Sequence, residues 1–308
     1  MDGLQGRLDA LDRATITPFM RRVLEDEGAE ILNWRYQPVE GGFGHAYGVY
    51  RFQGQAQVAN ETHEWSLILK ATGPAAGSQE QAAWDYWKRE VLVYQSGLLD
   101  DLLGDLVAPR LVGVVEYAGQ EFWLWLEDVV ESECVWPLER YGLAAYHLGQ
   151  FNGAYLVGKP VPNVPWLSSS QFRQRLTMAE LGIAELPRLS QNPLFERLLP
   201  GDSLELGLNL WAERQRLLAR RDKLPLTLCH HDAFRRNLIA RDGPDGRPQT
   251  VAIDWSEMGP GRLGEEIASL LRGLRFVAID VDRIPELDAL IFAGYVDGLR
   301  DAGWQGDS

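Results

Sequence analysis

The chain has 308 residues, 45% of them hydrophobic and 24% charged, a composition typical of folded globular proteins that excludes wholesale disorder. Its 30 Lys and Arg residues against 44 Asp and Glu residues give a net charge of −14, a surface that repels phosphate backbones and makes nucleic acid an unexpected partner. Short apolar runs exclude a membrane span and the acidic N-terminus excludes a secretory signal, which leaves a cytoplasmic location as the expectation.

The first 127 residues predict a small antiparallel sheet with few helices. Residues 1–29 read as one or two short amphipathic helices, with Thr17 as a cap and Pro18 at the first helical position. Glycines at 41–44 between two aromatic and β-branched runs predict a hairpin. The apolar spacing of Trp84, Trp87, Val91 and Tyr94 predicts a helix over 79–97. The predicted strands are 34–39, 46–52, 65–70, 111–115 and 121–126.

From residue 128 the chain becomes mainly helical. The predicted helices cover 138–156, 171–186, 204–221 and the region from about 264 to the end. Two short apolar strands at 226–229 and 250–253 interrupt them. These patterns predict an α+β protein with a sheet-containing N-terminal lobe over 1–127 and a mainly helical C-terminal lobe over 128–308.

The densest group of chemically useful side chains follows the strand at 226–229. His230 and Asp232 are followed five residues later by Asn237, and Asp254 comes directly after the second strand. A predicted hairpin between these strands, turning at 242–246, returns the chain so that Asp254 lies near Asp232. A carboxylate can accept the proton of a substrate hydroxyl, while a second carboxylate and an amide oxygen suit Mg²⁺. The spacing therefore predicts a phosphoryl-transfer site.

The pattern H-x-D-x-x-x-x-N followed by I-D-W resembles the aminoglycoside phosphotransferase and choline kinase family, a branch of the two-lobed protein-kinase-like fold. The resemblance covers most of the chain in order. It implies a general base, Mg²⁺ ligands, a lysine on the ATP phosphates with an acidic partner, a glycine loop over the phosphates, and a linker whose backbone contacts adenine. By this resemblance Asp232 is the general base, and Asn237 and Asp254 hold Mg²⁺. Lys70 binds the ATP phosphates with Glu90 as its acidic partner. Gly42 and Gly44 belong to the glycine loop, and Glu127 and Asp128 belong to the linker.

The resemblance implies transfer of the γ-phosphoryl group of ATP, with Mg²⁺, to a hydroxyl of a small molecule such as an aminoglycoside, an amino alcohol, a sugar or another antibiotic or metabolite. Seven acids against two bases after residue 279, together with Glu257, would suit a cationic acceptor, although a solvated acidic face explains them equally well. The seven acids are Asp280, Asp282, Glu286, Asp288, Asp297, Asp301 and Asp307.

Three features depart from the family pattern. His231 stands where glycine is common, Arg235 and Arg236 replace small residues, and Glu266 replaces the usual Asp. Two other functions stay open. One is a non-catalytic nucleotide-binding module with a kinase-like fold, and the other is a metal-dependent phosphohydrolase built on the His and Asp side chains of the same motif.

Overall fold

The computed structural model describes residues 2–39, 46–118, 121–133, 135–169, 171–192, 201–272, 279 and 281–306. The N-terminal part contains a five-stranded antiparallel sheet in the order β1-β2-β3-β6-β5, which confirms the predicted hairpin and strands. Its strands are β1 Glu30–Pro38, β2 Gly48–Val58, β3 Glu61–Thr72, β5 Leu111–Tyr117 and β6 Glu121–Glu127. The predicted glycine loop with Gly42 and Gly44 falls outside the described residues.

Two helices, α1 (Asp2–Asp9) and α2 (Arg13–Leu24), cover one face of this sheet. The ring of Phe19 stacks on Trp125 of β6 with centroids 4.7 Å apart. The predicted cap at Thr17 is wrong, because α2 begins four residues earlier. Asp12 caps it by accepting a 2.8 Å hydrogen bond from the backbone nitrogen of Thr15, the usual geometry of an acidic N-cap, and Pro18 lies inside the helix.

Within the helix predicted over 79–97, only the segment α3 (Arg89–Gln95) is helical. The fully buried guanidinium of Arg89 donates to the backbone oxygens of five residues. Three of these oxygens lie in the stretch where the helix was expected, and the guanidinium binds them there. A tertiary contact therefore overrides a helical apolar pattern over residues 79–88. The five oxygens belong to Gln81, Ala83, Trp84, Trp166 and Ser256.

The C-terminal part is mainly helical, as predicted, with short strands that carry loops. Its helices are α4 Leu138–Leu156, α5 Gln171–Leu189, α6 Ser203–Ala212, α7 Arg214–Arg221, α8 Glu265–Arg272 and α9 Ile284–Asp301. The predicted helix over 204–221 is interrupted at Glu213, next to which the carbonyl of Trp211 accepts a 2.9 Å hydrogen bond from the Arg214 side chain. In the described residues no helix is long and apolar enough to cross a membrane.

Two antiparallel strand pairs position the loops of the C-terminal part. Strand β7 (Leu226–Cys229) pairs with β10 (Gly259–Arg262), and β8 (Leu238–Asp242) pairs with β9 (Pro248–Ala252). The glycine-rich sequence of β10 gives no strand signal, yet a Cβ on Gly259 would overlap the backbone of Ser168, so this close approach requires glycine. The short strand β4 (Leu106–Val107) adds to β9 in parallel and ties the two parts of the chain together.

Helices α4 and α9 form the centre of the C-terminal core. They approach closely enough that a Cβ on Gly298 would overlap the backbone oxygen of Tyr146. Helix α5 differs, because Gln171 is its only buried residue in the described part of the chain. It therefore lies at the surface, with one face toward the cleft between the two parts.

Candidate active site

Lys70 lies near the end of β3 and points between two carboxylates from distant parts of the chain. Its Nζ is 2.5 Å from Oε2 of Glu90 on α3 and 2.9 Å from Oδ1 of Asp254 after β9. The side chain is only 12% exposed, and this burial alone would lower the pKa of Lys70. The two carboxylates outweigh burial and hold the pKa above its usual value, so Lys70 is a permanent cation.

Asp254 stays ionised because of this lysine. Burial opposes the charge, but Lys70 lowers the pKa of Asp254 to about 2. The backbone of Asp254 is left-handed, with a φ of 61°, a conformation that non-glycine residues rarely adopt and that turns the chain sharply at the end of β9. The predicted partners Lys70 and Glu90 thus form one charged network together with Asp254.

Asp232 and Asn237 are held together by the loop between β7 and β8. The side-chain nitrogen of Asn237 donates to Oδ2 of Asp232 at 2.8 Å and to its backbone oxygen at 3.0 Å. Burial raises the pKa of Asp232 to about 8, and the nearby carboxylates of Glu257 and Asp254 add to this effect. A carboxyl group with such a pKa is well matched to proton transfer near neutral pH.

Two histidines before Asp232 support the loop through main-chain contacts. The Nε2 atom of His230 lies 2.9 Å from the carbonyl oxygen of Ile253, and that of His231 lies 3.3 Å from the carbonyl of Pro260. Burial lowers the pKa of His230 to about 4 and that of His231 to about 3, so both rings are neutral. The φ of 67° at His231 explains why glycine suits this position.

Glu266, on α8, binds the backbone of the same loop through its carboxylate group. Its Oε2 accepts a 2.6 Å hydrogen bond from the backbone nitrogen of His230, and its Oε1 accepts one of 3.1 Å from that of His231. Glu266 is fully buried. The longer side chain therefore still reaches the loop at a position where the family usually has Asp.

We expect Glu266→Gln to destabilise the protein, because an amide has only one oxygen and one buried backbone N–H would lose its acceptor. The expected loss in the free energy of unfolding is about 1–3 kcal/mol, measured by urea denaturation. Glu286→Gln, which changes an exposed carboxylate paired with Arg283, is the matched control and should cost less than about 0.5 kcal/mol. Equal stability of the Glu266 variant and the wild type would show that these two hydrogen bonds are dispensable.

The side chains of Glu127 and Asp128, predicted in the adenine-contacting linker, are held by arginines. Glu127 pairs with Arg241 at 2.7 Å, and Asp128 accepts two hydrogen bonds from Arg51, at 2.7 and 3.0 Å. Each bridge joins the linker to a strand, β8 for Glu127 and β2 for Asp128. The linker is thereby fixed between the two parts of the chain.

The adjacent arginines of the loop have different surroundings. Arg235 is buried, with Nη2 2.9 Å from Oε1 of Glu131 and its guanidinium 4.2 Å above the ring of Trp136. Its role is therefore structural. Arg236 is exposed and lines the cleft beside Asp232.

The network of Lys70 and the pair of Asp232 and Asn237 line the same cleft, whose volume is about 1900 Å³. Pockets for one small ligand usually measure about 300–1,000 Å³, so this cleft has room for two substrates. Among the described residues no three His, Cys, Asp or Glu side chains form a group that could hold a metal ion by themselves. The rings of His230 and His231 contact backbone carbonyl oxygens and so are not placed as metal ligands. This arrangement does not favour the metal-dependent phosphohydrolase.

One site residue was missed by sequence reasoning. Arg175 of α5 reaches into the cleft, where its Nη2 contacts Oε2 of Glu257 and lies 3.6 Å from Oδ1 of Asp232. The sequence indicates Glu257 only as one of several acids that would suit a cationic acceptor. Arg175 gives no sequence signal, because it lies 57 positions before Asp232 on a helix with other arginines.

Residues 173–305 match the model of the phosphotransferase enzyme family. This match covers fewer than half of the residues, and over that part of the chain it confirms the predicted resemblance to the family. The match begins in α5 and ends beyond α9, so it contains the loop with Asp232 and Asn237, the turn at Asp254 and the anchor Glu266. The match to an enzyme family also confirms the prediction of an enzyme. No curated protein is significantly similar to the chain.

Several solved structures of low sequence identity are similar to this chain. The amicoumacin kinase hAmiN superposes with a TM-score of 0.54 at 12% identity, over 88% of this chain and 73% of hAmiN. An ethanolamine kinase from Plasmodium vivax gives 0.49 at 14% identity over 87% and 68% of the two chains. The aminoglycoside phosphotransferase APH(3'')-Id from Streptomyces rimosus gives 0.48 at 17% identity over 94% and 99%. The likeness to hAmiN confirms the two-lobed kinase-like fold.

Proposed function

We propose that this phosphotransferase uses ATP and Mg²⁺ and transfers the γ-phosphoryl group to a hydroxyl of a small molecule. The observation that carries the proposal is that Lys70, Asp254, Asp232 and Asn237 line one cleft, and that the last three lie in the region that matches the phosphotransferase family. A cation, an ionised carboxylate, an amide oxygen and a carboxyl group that titrates near neutrality are the parts that phosphoryl transfer requires.

Nucleotide binding is assigned to the side of the cleft that holds Lys70. A permanently charged ammonium group, fixed by Glu90 and Asp254, suits the phosphates of ATP. Because the side chains of Glu127 and Asp128 are bound by arginines and the backbone nitrogen of Glu127 donates to the carbonyl oxygen of Arg110, the adenine contact is assigned to the other main-chain atoms of this linker. The related fold of hAmiN was solved with AMP-PNP and Ca²⁺, which supports a nucleotide and a divalent cation in this type of cleft.

The residues present fit a Mg²⁺ ion. Asp254 is ionised, and Asn237 uses its amide nitrogen on Asp232, so its amide oxygen is the atom left for coordination. Mg²⁺ is commonly held by one or two protein oxygens together with substrate phosphates, so a larger cluster of acids is not needed. When bound, Mg²⁺ would neutralise charge on the phosphate oxygens.

Asp232 is assigned as the general base. Its carboxylate accepts a hydrogen bond from the acceptor hydroxyl and orients the oxygen toward the γ-phosphorus. As the new P–O bond forms and the bond to the bridging oxygen of ADP breaks, Asp232 takes the hydroxyl proton. Because bond formation is late in such reactions, much of the rate gain comes from positioning.

The acceptor is a hydroxylated small molecule, and its charge stays a proposal. Among the described C-terminal acids proposed for a cationic acceptor, none lines the cleft, and Glu286 and Asp301 bind Arg283 and Gln150 instead. Glu257 does line it, but its Oε2 already binds Arg175 and Gln171, so only its other carboxylate oxygen is proposed for an acceptor ammonium group. The ligand named with hAmiN is amicoumacin, which supports testing antibiotics with amino groups.

We expect Lys70→Ala to raise the KM for ATP and to lower kcat, because one charge-assisted contact to the phosphates is lost. The expected loss in kcat/KM is about 2–4 kcal/mol, measured by steady-state kinetics at varied ATP. Lys159→Ala, a surface lysine paired with Asp101, is the control and should behave as the wild type. An unchanged ATP profile in the Lys70 variant would remove this residue from the nucleotide site.

The proposal is tested by measuring ATP consumption with Mg²⁺ and a panel of aminoglycosides, amino alcohols, sugars and other hydroxylated antibiotics. Hydrolysis of phosphomonoesters and phosphodiesters is measured in parallel. ATP consumption that depends on one class of acceptor supports the proposal. Ester hydrolysis without nucleotide would favour the phosphohydrolase, and nucleotide binding without turnover of any acceptor would favour the non-catalytic module.

A further inference from the structure

One face of α5 connects the site to three separate segments of the chain. Residues 171, 174 and 175 share this face because they are three and four positions apart. Gln171 donates to Oε2 of Glu257, and Oε1 of Gln174 accepts a 2.9 Å hydrogen bond from the backbone nitrogen of Trp84. Helix α5 is thus fixed both to the loop after Asp254 and to the N-terminal part of the chain.

Arg175 on the same face forms an ion pair with the proposed general base. Its Nη2 contacts Oε2 of Glu257, lies 3.6 Å from Oδ1 of Asp232 and 3.4 Å from the backbone oxygen of His231. The other oxygen of Asp232, Oδ2, accepts the 2.8 Å hydrogen bond from Asn237. Asn237 therefore hydrogen-bonds one carboxylate oxygen of Asp232, and Arg175 forms an ion pair with the other.

A second acid makes this arrangement necessary. Glu257 and Asp232 both lie against Nη2 of Arg175, so whenever both are ionised their charges repel each other unless the guanidinium lies between them. The side chains of Arg175, Asp232 and Glu257 are 26%, 18% and 10% exposed, so water screens this repulsion poorly. Removing Arg175 would leave Asp232 free to turn away from Glu257.

We propose that Arg175 is a positioning residue that holds Asp232 in its reactive orientation by bridging it to Glu257, and that α5 thereby sets the geometry of the base. The inference rests on the proposed role of Asp232. It assigns Arg175 no contact with ATP, so its loss should change turnover more than nucleotide binding.

The test compares Arg175→Met, Arg175→Lys and the double variant Arg175→Met/Glu257→Gln with the wild type, using Mg·ATP and the best acceptor from the panel. Arg173→Met is the matched control, because Arg173 lies on the same helix and pairs with Asp222 away from the base. We expect Arg175→Met to lower kcat by about 10–100-fold, with a KM for ATP within about threefold of the wild type. Circular dichroism and urea denaturation confirm that each variant is folded.

The double variant separates positioning from a general structural role. Without the Glu257 charge, Asp232 is no longer repelled from its reactive orientation, so kcat should recover at least about fivefold over Arg175→Met. Arg175→Lys should lie between the wild type and Arg175→Met, because a single ammonium group bridges two carboxylates less well. Arg173→Met should stay within about twofold of the wild type.

Three results would overturn the inference. They are a normal kcat in Arg175→Met, a change in acceptor KM alone, and a double variant no better than Arg175→Met. A wild type that transfers phosphate to no acceptor would instead contradict the proposed function, so the two failures are distinguishable.

Discussion

Asp232→Asn should lower kcat by at least about 10²-fold while the affinity for Mg·ATP stays within a few-fold of the wild type. The substitution keeps the shape of the side chain and its contact with Asn237, but removes the charge and the basicity that orient the acceptor hydroxyl and take its proton. Steady-state kinetics with the acceptor gives kcat, and equilibrium binding of a non-hydrolysable ATP analogue gives the affinity.

Asp245→Asn is the control for this variant. Asp245 is an exposed acid in the turn between β8 and β9, where it pairs with Arg247, and its change should leave kcat unaltered. Near-normal turnover in Asp232→Asn would contradict the assignment of the base. Loss of nucleotide binding with normal chemistry would move Asp232 to the nucleotide side of the cleft.

Asp254→Asn should impair both turnover and the response to Mg²⁺. The substitution removes an ionised ligand from the proposed Mg²⁺ site and one of the two carboxylates that fix Lys70. We expect kcat to fall by about 10²–10³-fold, by analogy with the loss of one electrostatic group in other active sites. The Mg²⁺ concentration for half-maximal activity should rise by about tenfold or more.

The two aspartates are distinguished by titrating Mg²⁺ at saturating ATP in both variants. Asp232→Asn should keep the Mg²⁺ dependence of the wild type, whereas Asp254→Asn should shift it. If Asp254→Asn kept the normal Mg²⁺ dependence and Asp232→Asn shifted it, the roles of the two residues would be reversed.

The charged residues of the site were predictable because their types and spacing carry chemistry. The loop with Asp232 and Asn237 is local, so its spacing alone brings both residues together. Lys70 and Asp254 lie 184 positions apart, and only the family resemblance linked them, yet the structure brings their charged atoms to 2.9 Å. The antiparallel sheet followed from aromatic and β-branched runs with turn residues between them.

Residues that act through backbone or helix-surface contacts were not predictable. Arg89 looks like one more charged residue beside Glu90, although its five bonds to backbone oxygens replace helix over residues 79–88. Arg175 occupies a helix whose sequence is that of a solvated surface. The strand that contains Gly259 has no typical strand sequence, because the close approach of its backbone to Ser168 requires glycine. In each case the decisive partner is distant in sequence, and nothing local marks the contact.

The central claim is the transfer of the γ-phosphoryl group to an acceptor hydroxyl, and ³¹P NMR follows that group directly. The wild-type protein is incubated with Mg·ATP and each acceptor of the panel, with Asp232→Asn in a parallel sample. The account predicts that one acceptor yields ADP and a new phosphomonoester signal in equal amounts, and that Asp232→Asn yields neither at a comparable rate. Release of the γ-phosphorus only as inorganic phosphate with every acceptor, or ATP that stays intact throughout, would contradict it.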